Sequence, residues 1–175
     1  MTLAEELARA VRTVPDFPEP GVQFKDITPI LADQRLINTA VRALAEPYMD
    51  EGITKVIGIE ARGFILGSLL ARHLGAGFIP IRKRGKLPFQ TVEESYDLEY
   101  GKDTIEMHMD ALKSEDRVLI HDDVIATGGT ASAAYRLAQR FDAEVAGYAF
   151  LVELSFLQGR SKLDPRLPVH VVMRM

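Results

Sequence analysis

Residues 118–130 read VLIHDDVIATGGT: an apolar run, two adjacent carboxylates at Asp122 and Asp123, then a short loop of small and hydroxyl-bearing residues. Val118, Leu119 and Ile120 have the unbroken apolar character of a strand buried on both faces, and the acids fall where such a strand is expected to end. Ala126, Thr127, Gly128, Gly129 and Thr130 leave the backbone amides open to close approach by an anion. Ala131, Ala134, Tyr135, Ala138 and Phe141 then recur at helical spacing, so the loop is expected to open a helix whose positive end faces the same anion. Two neighbouring carboxylates repel one another unless a cation or hydroxyl donors engage them, and the vicinal hydroxyls of a ribose supply such donors. A sugar phosphate satisfies both halves of the segment, whereas a bare acidic turn after a strand is the bland alternative. The chain has no G-x-x-x-x-G-K-[ST] loop and no G-x-G-x-x-G after a strand, which sets aside ATP-cleaving and dinucleotide readings.

Outward from this segment, strand-like runs fall at 55–59, 78–82, 104–107, 117–121, 144–152 and 169–173. Between them, Leu36, Ile37, Ala40, Val41, Leu44, Ala45 and Tyr48 keep one apolar helical face, and residues 63–74 are apolar nearly all round. Alternation of strands and helices predicts an α/β fold with a mostly parallel central sheet flanked by helices, binding its ligand at the carboxyl ends of the strands. With 175 residues, 47% of them hydrophobic, the chain is sized for one domain over 1–175. A net charge of −4 gives no basic footprint for nucleic acid. There are no cysteines, no apolar run approaching a membrane span and no basic, apolar leader at the N-terminus, so a soluble cytoplasmic enzyme is expected.

Two further strand ends carry cations. In GIEARGF (58–64), Arg62 follows a strand and Gly63 starts an apolar helix; its forked donors suit pyrophosphate, with a surface pair to Glu60 as the alternative. In IPIRKRGKLP (79–88), Arg82, Lys83, Arg84 and Lys86 concentrate charge that serves either an anion or a solvated face. The four histidines show no metal-ligand spacing, and His121 is expected to pack inside from its strand. No G-x-S-x-G marks a serine hydrolase.

The acid pair followed by the Thr/Gly loop resembles the signature of type I phosphoribosyltransferases. Together with PDFPEPGVQFKDITPIL (15–31), ESYDLEYG (94–101) and LVEL (151–154), it is similar to the adenine phosphoribosyltransferase family along nearly the whole chain. That resemblance implies the type I phosphoribosyltransferase fold, with a small N-terminal hood of about residues 14–32 and a mobile catalytic loop. It implies that phosphoribosyl pyrophosphate and adenine are the partners, that Mg2+ is bound mainly through substrate rather than by a protein metal site, and that the chain forms a homodimer. By position it places Arg62, Lys83 and Lys86 on pyrophosphate and Asp122 and Asp123 on the ribose. Ala126, Thr127, Gly128, Gly129 and Thr130 fall on the 5-phosphate, and Gln23, Phe24 and Lys25 at the adenine. The loop 94–101 is expected to close over the centre, with Glu99 handling the purine proton and Tyr100 sealing the site; an alternating strand with Tyr96, Leu98 and Tyr100 facing inward and Asp97 and Glu99 solvated is the alternative. Gln23 and Lys25 stand where an apolar residue and an arginine are frequent in the family. A 6-oxopurine enzyme (hypoxanthine, guanine or xanthine) therefore stays open beside adenine, and so, because some gene regulators reuse this fold, does a non-catalytic phosphoribosyl pyrophosphate sensor.

Overall fold

A computed structural model describes residues 1–98 and 100–175. The described strands form two sheets. The larger has the order β5-β6-β4-β3-β7-β8-β9, built from β3 (Lys55–Ile59), β4 (Gly77–Lys83), β5 (Thr91–Asp97), β6 (Lys102–His108), β7 (Arg117–Ile125), β8 (Glu144–Glu153) and β9 (Val169–Arg174). From β4 to β9 every pairing is parallel, and β6 and β5 add an antiparallel edge. The smaller sheet is a hairpin of β1 (Arg12–Pro15) and β2 (Gln23–Asp26).

Strand periodicity of two divides the core between the faces of the large sheet. Val56 and Leu119 pack with α1 (Leu3–Ala10), α3 (Gln34–Ala45) and α4 (Gly63–Leu74), through Leu7, Leu44, Leu66 and Leu70. Their neighbours Ile57 and Ile120 face the other way, onto Ala134 and Leu137 of α5 (Gly129–Gln139). The short α2 (Thr28–Ala32) leads into α3, whose N-cap Asp33 accepts from the amides of Arg35 and Leu36.

Two expectations are corrected here. β7 does not stop before the acids; it pairs with β8 as far as Ile125 opposite Glu153, so Asp122 and Asp123 lie within the strand. Residues 94–97 are not loop but the end of β5, paired with 102–105 of β6. The chain reverses through Leu98, whose amide donates to the carbonyl of Gly101 at 2.9 Å. Glu94 anchors that hairpin to α5 through Arg136 (3.0 Å) and Arg140 (2.7 Å). Glu99 lies outside the described residues. No helix among the described residues is long and apolar enough to cross a membrane.

Candidate active site

The carboxyl ends of β3 and β7 face the β1–β2 hairpin across one cavity, and the end of β4 lies on their other side, lining a second. At the end of β3, Arg62 caps α4 and Gly63 begins it. A β-carbon on Gly63 would sit 2.8 Å from Asp122 Oδ1 and 3.3 Å from its Cα, so only glycine lets the helix approach β7 this closely. Glu60 serves β4: its Oε1 accepts from the Lys83 amide at 2.5 Å and lies 3.4 Å from Arg82 Nε.

Arg62 does not pair with Glu60. Its Nε lies 2.9 Å from Asp123 Oδ2, and its guanidinium sits 4.8 Å from the centre of the Phe24 ring, a cation–π arrangement. One side chain thus links α4, β7 and the hairpin. Phe24 is supported by Phe17, edge to face at 5.1 Å, while Lys25 donates to the Thr13 hydroxyl at 3.0 Å. Asp123 is buried, yet Arg62 approaches off the hydrogen-bond line, leaving Asp123 Oδ2 with no aligned donor among the described residues. Asp122 Oδ1 accepts from the Asp123 amide at 2.9 Å. Burial, then the neighbouring Asp123, hold the Asp122 carboxyl well above the ordinary carboxylate pKa, so its charge calls for hydroxyl donors or a cation.

Three cavities converge here, and Asp122 lines all of them. The largest, about 440 Å³, lies between Val22–Lys25 of the hairpin and Arg62, Asp123 and Leu154. A small one of about 80 Å³ is bounded by Ala126, Thr127, Gly128, Gly129 and Thr130. Gly128 takes φ +81° as the chain turns into α5, a conformation natural to glycine. The third, about 340 Å³, runs between Glu60, Lys83, Leu98, Asp103 and Thr130. Lys83 enters this space bound to Asp103 at 2.9 Å, and that hydrogen bond raises its pKa. A ligand with three arms fits this geometry: a flat ring in the first cavity, one phosphate in the second and a larger anion in the third.

Of the residues singled out in the sequence, Gln23, Phe24, Lys25, Arg62, Lys83, Asp122, Asp123, Ala126, Thr127, Gly128, Gly129 and Thr130 come together around these cavities. Lys86 does not: it is exposed on the turn after β4, where its amide donates to Glu106. Tyr100 is 87% exposed, turned to solvent rather than over the centre. Leu98 comes from the segment expected over the centre, whereas Glu60, Asp103 and Leu154 are not given a place in the site by the sequence. Glu60 stands inside GIEARGF, a signal that was available, but nothing in the sequence around Asp103 marks it.

The phosphoribosyl transferase domain model matches residues 28–172, most of the chain. Adenine phosphoribosyltransferase of Synechococcus sp. (strain JA-3-3Ab) is 53% identical, the match covering 96% of this chain and 97% of that protein. The chain belongs to the adenine phosphoribosyltransferase family. The crystal structure of the Rhodothermus marinus DSM 4252 member is 62% identical, with a TM-score of 0.96 and coverage of 99% and 98% of the two chains. The Saccharomyces cerevisiae member is a complex with an imino-altritol bisphosphate and adenine; it is 40% identical, with a TM-score of 0.91, covering 97% and 98%. The mostly parallel sheet flanked by helices is thus the type I phosphoribosyltransferase fold. The domain match begins at residue 28, after the β1–β2 hairpin.

Proposed function

We propose that the chain transfers the 5-phosphoribosyl group of phosphoribosyl pyrophosphate to adenine, giving AMP and pyrophosphate in purine salvage. The observation that carries this reading is the meeting of three cavities on Asp122, which matches a ribose bearing a base, a 5-phosphate and a pyrophosphate. In this reading the whole chain acts as one unit, with residues 14–32 as the hood. Adenine lies between Phe24 and the end of β7, the 5-phosphate rests on the amides of 126–130, and pyrophosphate points toward Lys83.

Departure of pyrophosphate from C1 leaves an oxocarbenium-like ribose, so the site must stabilise the leaving anion more strongly than the bound substrate. Lys83 and Arg62 supply positive charge there, while Asp122 and Asp123 engage the ribose hydroxyls. Among the described residues no group of three or more histidines and carboxylates could hold a metal ion. Two carboxylates, one with an unaligned oxygen, suit a Mg2+ that arrives on the substrate's oxygens and keeps water ligands. When bound, that ion offsets the charge of the pyrophosphate. Glu99 receives or stabilises the proton leaving the purine as the new bond forms, and Tyr100 covers the centre when the β5–β6 tip closes. A cytoplasmic homodimer is the working state.

The test offers adenine, hypoxanthine, guanine, xanthine and orotate separately with phosphoribosyl pyrophosphate and Mg2+. AMP from adenine alone is expected. Turnover of a 6-oxopurine would transfer the specificity to another base, and phosphoribosyl pyrophosphate binding without any nucleotide product would make the chain a sensor.

A further inference from the structure

The 5-phosphate loop has a back wall that the reaction itself does not explain. β8 ends at Glu153, which is buried and lies opposite Ile125, the residue at which β7 gives way to the loop. The Leu154 amide donates to the Ile125 carbonyl at 3.1 Å, tying the two strand ends together. Beyond it the chain turns back through the 3-10 turns Ser155–Leu157 and Gly159–Lys162, which bring Gly159 against the loop.

The fit leaves no space for a side chain on either surface. A β-carbon on Gly159 would strike the Ala126 carbonyl oxygen and sit 3.1 Å from the Gly128 amide nitrogen. One on Gly128 would strike the Gly159 carbonyl oxygen and sit 3.2 Å from its Cα. Both contacts are with backbone, which cannot rotate away.

The turn is fixed by the residue next to Gly159. Arg160 donates to both oxygens of Glu153, Nε to Oε1 at 2.6 Å and Nη2 to Oε2 at 3.0 Å, and its Nη1 donates to the Val169 carbonyl at 3.3 Å. Arg174 adds a donor to Oε2 at 3.2 Å. A two-point guanidinium–carboxylate pair fixes direction as well as distance. These side chains do not line the three cavities, so ligand contact is not their task.

We infer that Arg160 and Glu153 are positioning residues for the sugar phosphate: their paired hydrogen bonds hold Gly159 against Gly128 and so fix the amides of residues 126–130 at the spacing an oxyanion requires. This rests on the reading of that loop as the 5-phosphate site.

Arg160→Ala and Gly159→Ala test it, with Arg160→Lys as a variant that retains the charge on a single donor nitrogen and loses the two-point fork. If Arg160→Ala does not fold, the other two carry the comparison. In folded variants the KM for phosphoribosyl pyrophosphate is expected to rise about tenfold while that for adenine stays within about twofold, with Arg160→Lys intermediate. Amide hydrogen exchange at 126–130 should speed up, and ribose 5-phosphate, the probe for the loop alone, should bind about tenfold more weakly by calorimetry. Unchanged exchange at 126–130 together with unchanged ribose 5-phosphate affinity would overturn the inference whatever the activity. If the unmodified protein binds ribose 5-phosphate yet makes no AMP, the transferase reading fails. Faster exchange and weaker binding in the variants would still uphold the positioning.

Discussion

His121 makes the stability of this protein depend on pH between the ordinary histidine range and the acid range, a window it shares with the raised carboxyl of Asp122. The ring is fully buried, and Nδ1 lies 2.9 Å from the Ala149 carbonyl. A carbonyl only accepts, so Nδ1 carries the hydrogen and a second proton would have to go on Nε2, which has no partner among the described residues. Burial therefore drives the pKa from 6.5 to about 4, although the Ala149 carbonyl and Asp123 act in the opposite direction. A histidine with a depressed folded pKa contributes stability that is complete above the unfolded value and is lost as pH falls from 6.5 toward 4. At about 1.4 kcal/mol per pH unit, the loss between pH 8 and pH 5 is about 2 kcal/mol, nearing about 3 kcal/mol at pH 4. His121→Asn isolates the effect, because its amide can still donate to Ala149 and does not titrate. Urea unfolding of both proteins at pH 8, 6.5 and 5 should give stabilities whose difference shifts by about 2 kcal/mol in favour of the variant at the acid end. Parallel stability curves across that range would refute the reasoning.

Arg62→Ala removes the charge beside buried Asp123 and the cation over Phe24, so the KM for phosphoribosyl pyrophosphate should rise by about tenfold or more and that for adenine less. Equal increases in steady-state assays would point to a general distortion instead. Glu106→Gln affects the basic turn: buried Glu106 accepts from the amides of Lys86 (3.1 Å) and Leu87 (2.9 Å) and from the Thr91 hydroxyl (3.3 Å). Removing its charge and turning one accepting oxygen into an NH2 donor that faces other donors should cost about 1–3 kcal/mol in urea unfolding, and a loss below about 0.5 kcal/mol would show that the turn holds itself.

What was legible in the sequence was local. The β7–loop–α5 unit is readable because a doubly buried strand, a glycine turn and a helical stripe each impose a distinct pattern; the structure departs in carrying β7 three residues past the acids' start, to Ile125, and in ending α5 at Gln139, which leaves Phe141 in the turn beyond it. That extension depends on pairing with β8, a partner the segment itself does not reveal. The end of the edge strand β5, residues 94–97, reads as part of a loop because ESYD is largely polar and the strand has one neighbour to pair with, so burial imprints little on it. Partnerships were hidden for a related reason. Arg62 lies beside Glu60 in sequence but against Asp123 in space, and Lys83 finds Asp103 across the β4–β6 edge. Such pairs are set by sheet order and not by spacing along the chain.

The β1–β2 hairpin is a sheet of its own, with its backbone register closed internally from Arg12 opposite Asp26 to Pro15 opposite Gln23. If it reads the base, one wall of the base cavity can be varied without touching the hydrogen-bond ladder of the seven-stranded sheet, while Arg62, Asp123 and Leu154 hold the opposite wall. A library aimed at accepting a different nucleobase can then start at Val22–Lys25, keeping Phe24 where Arg62 needs its ring.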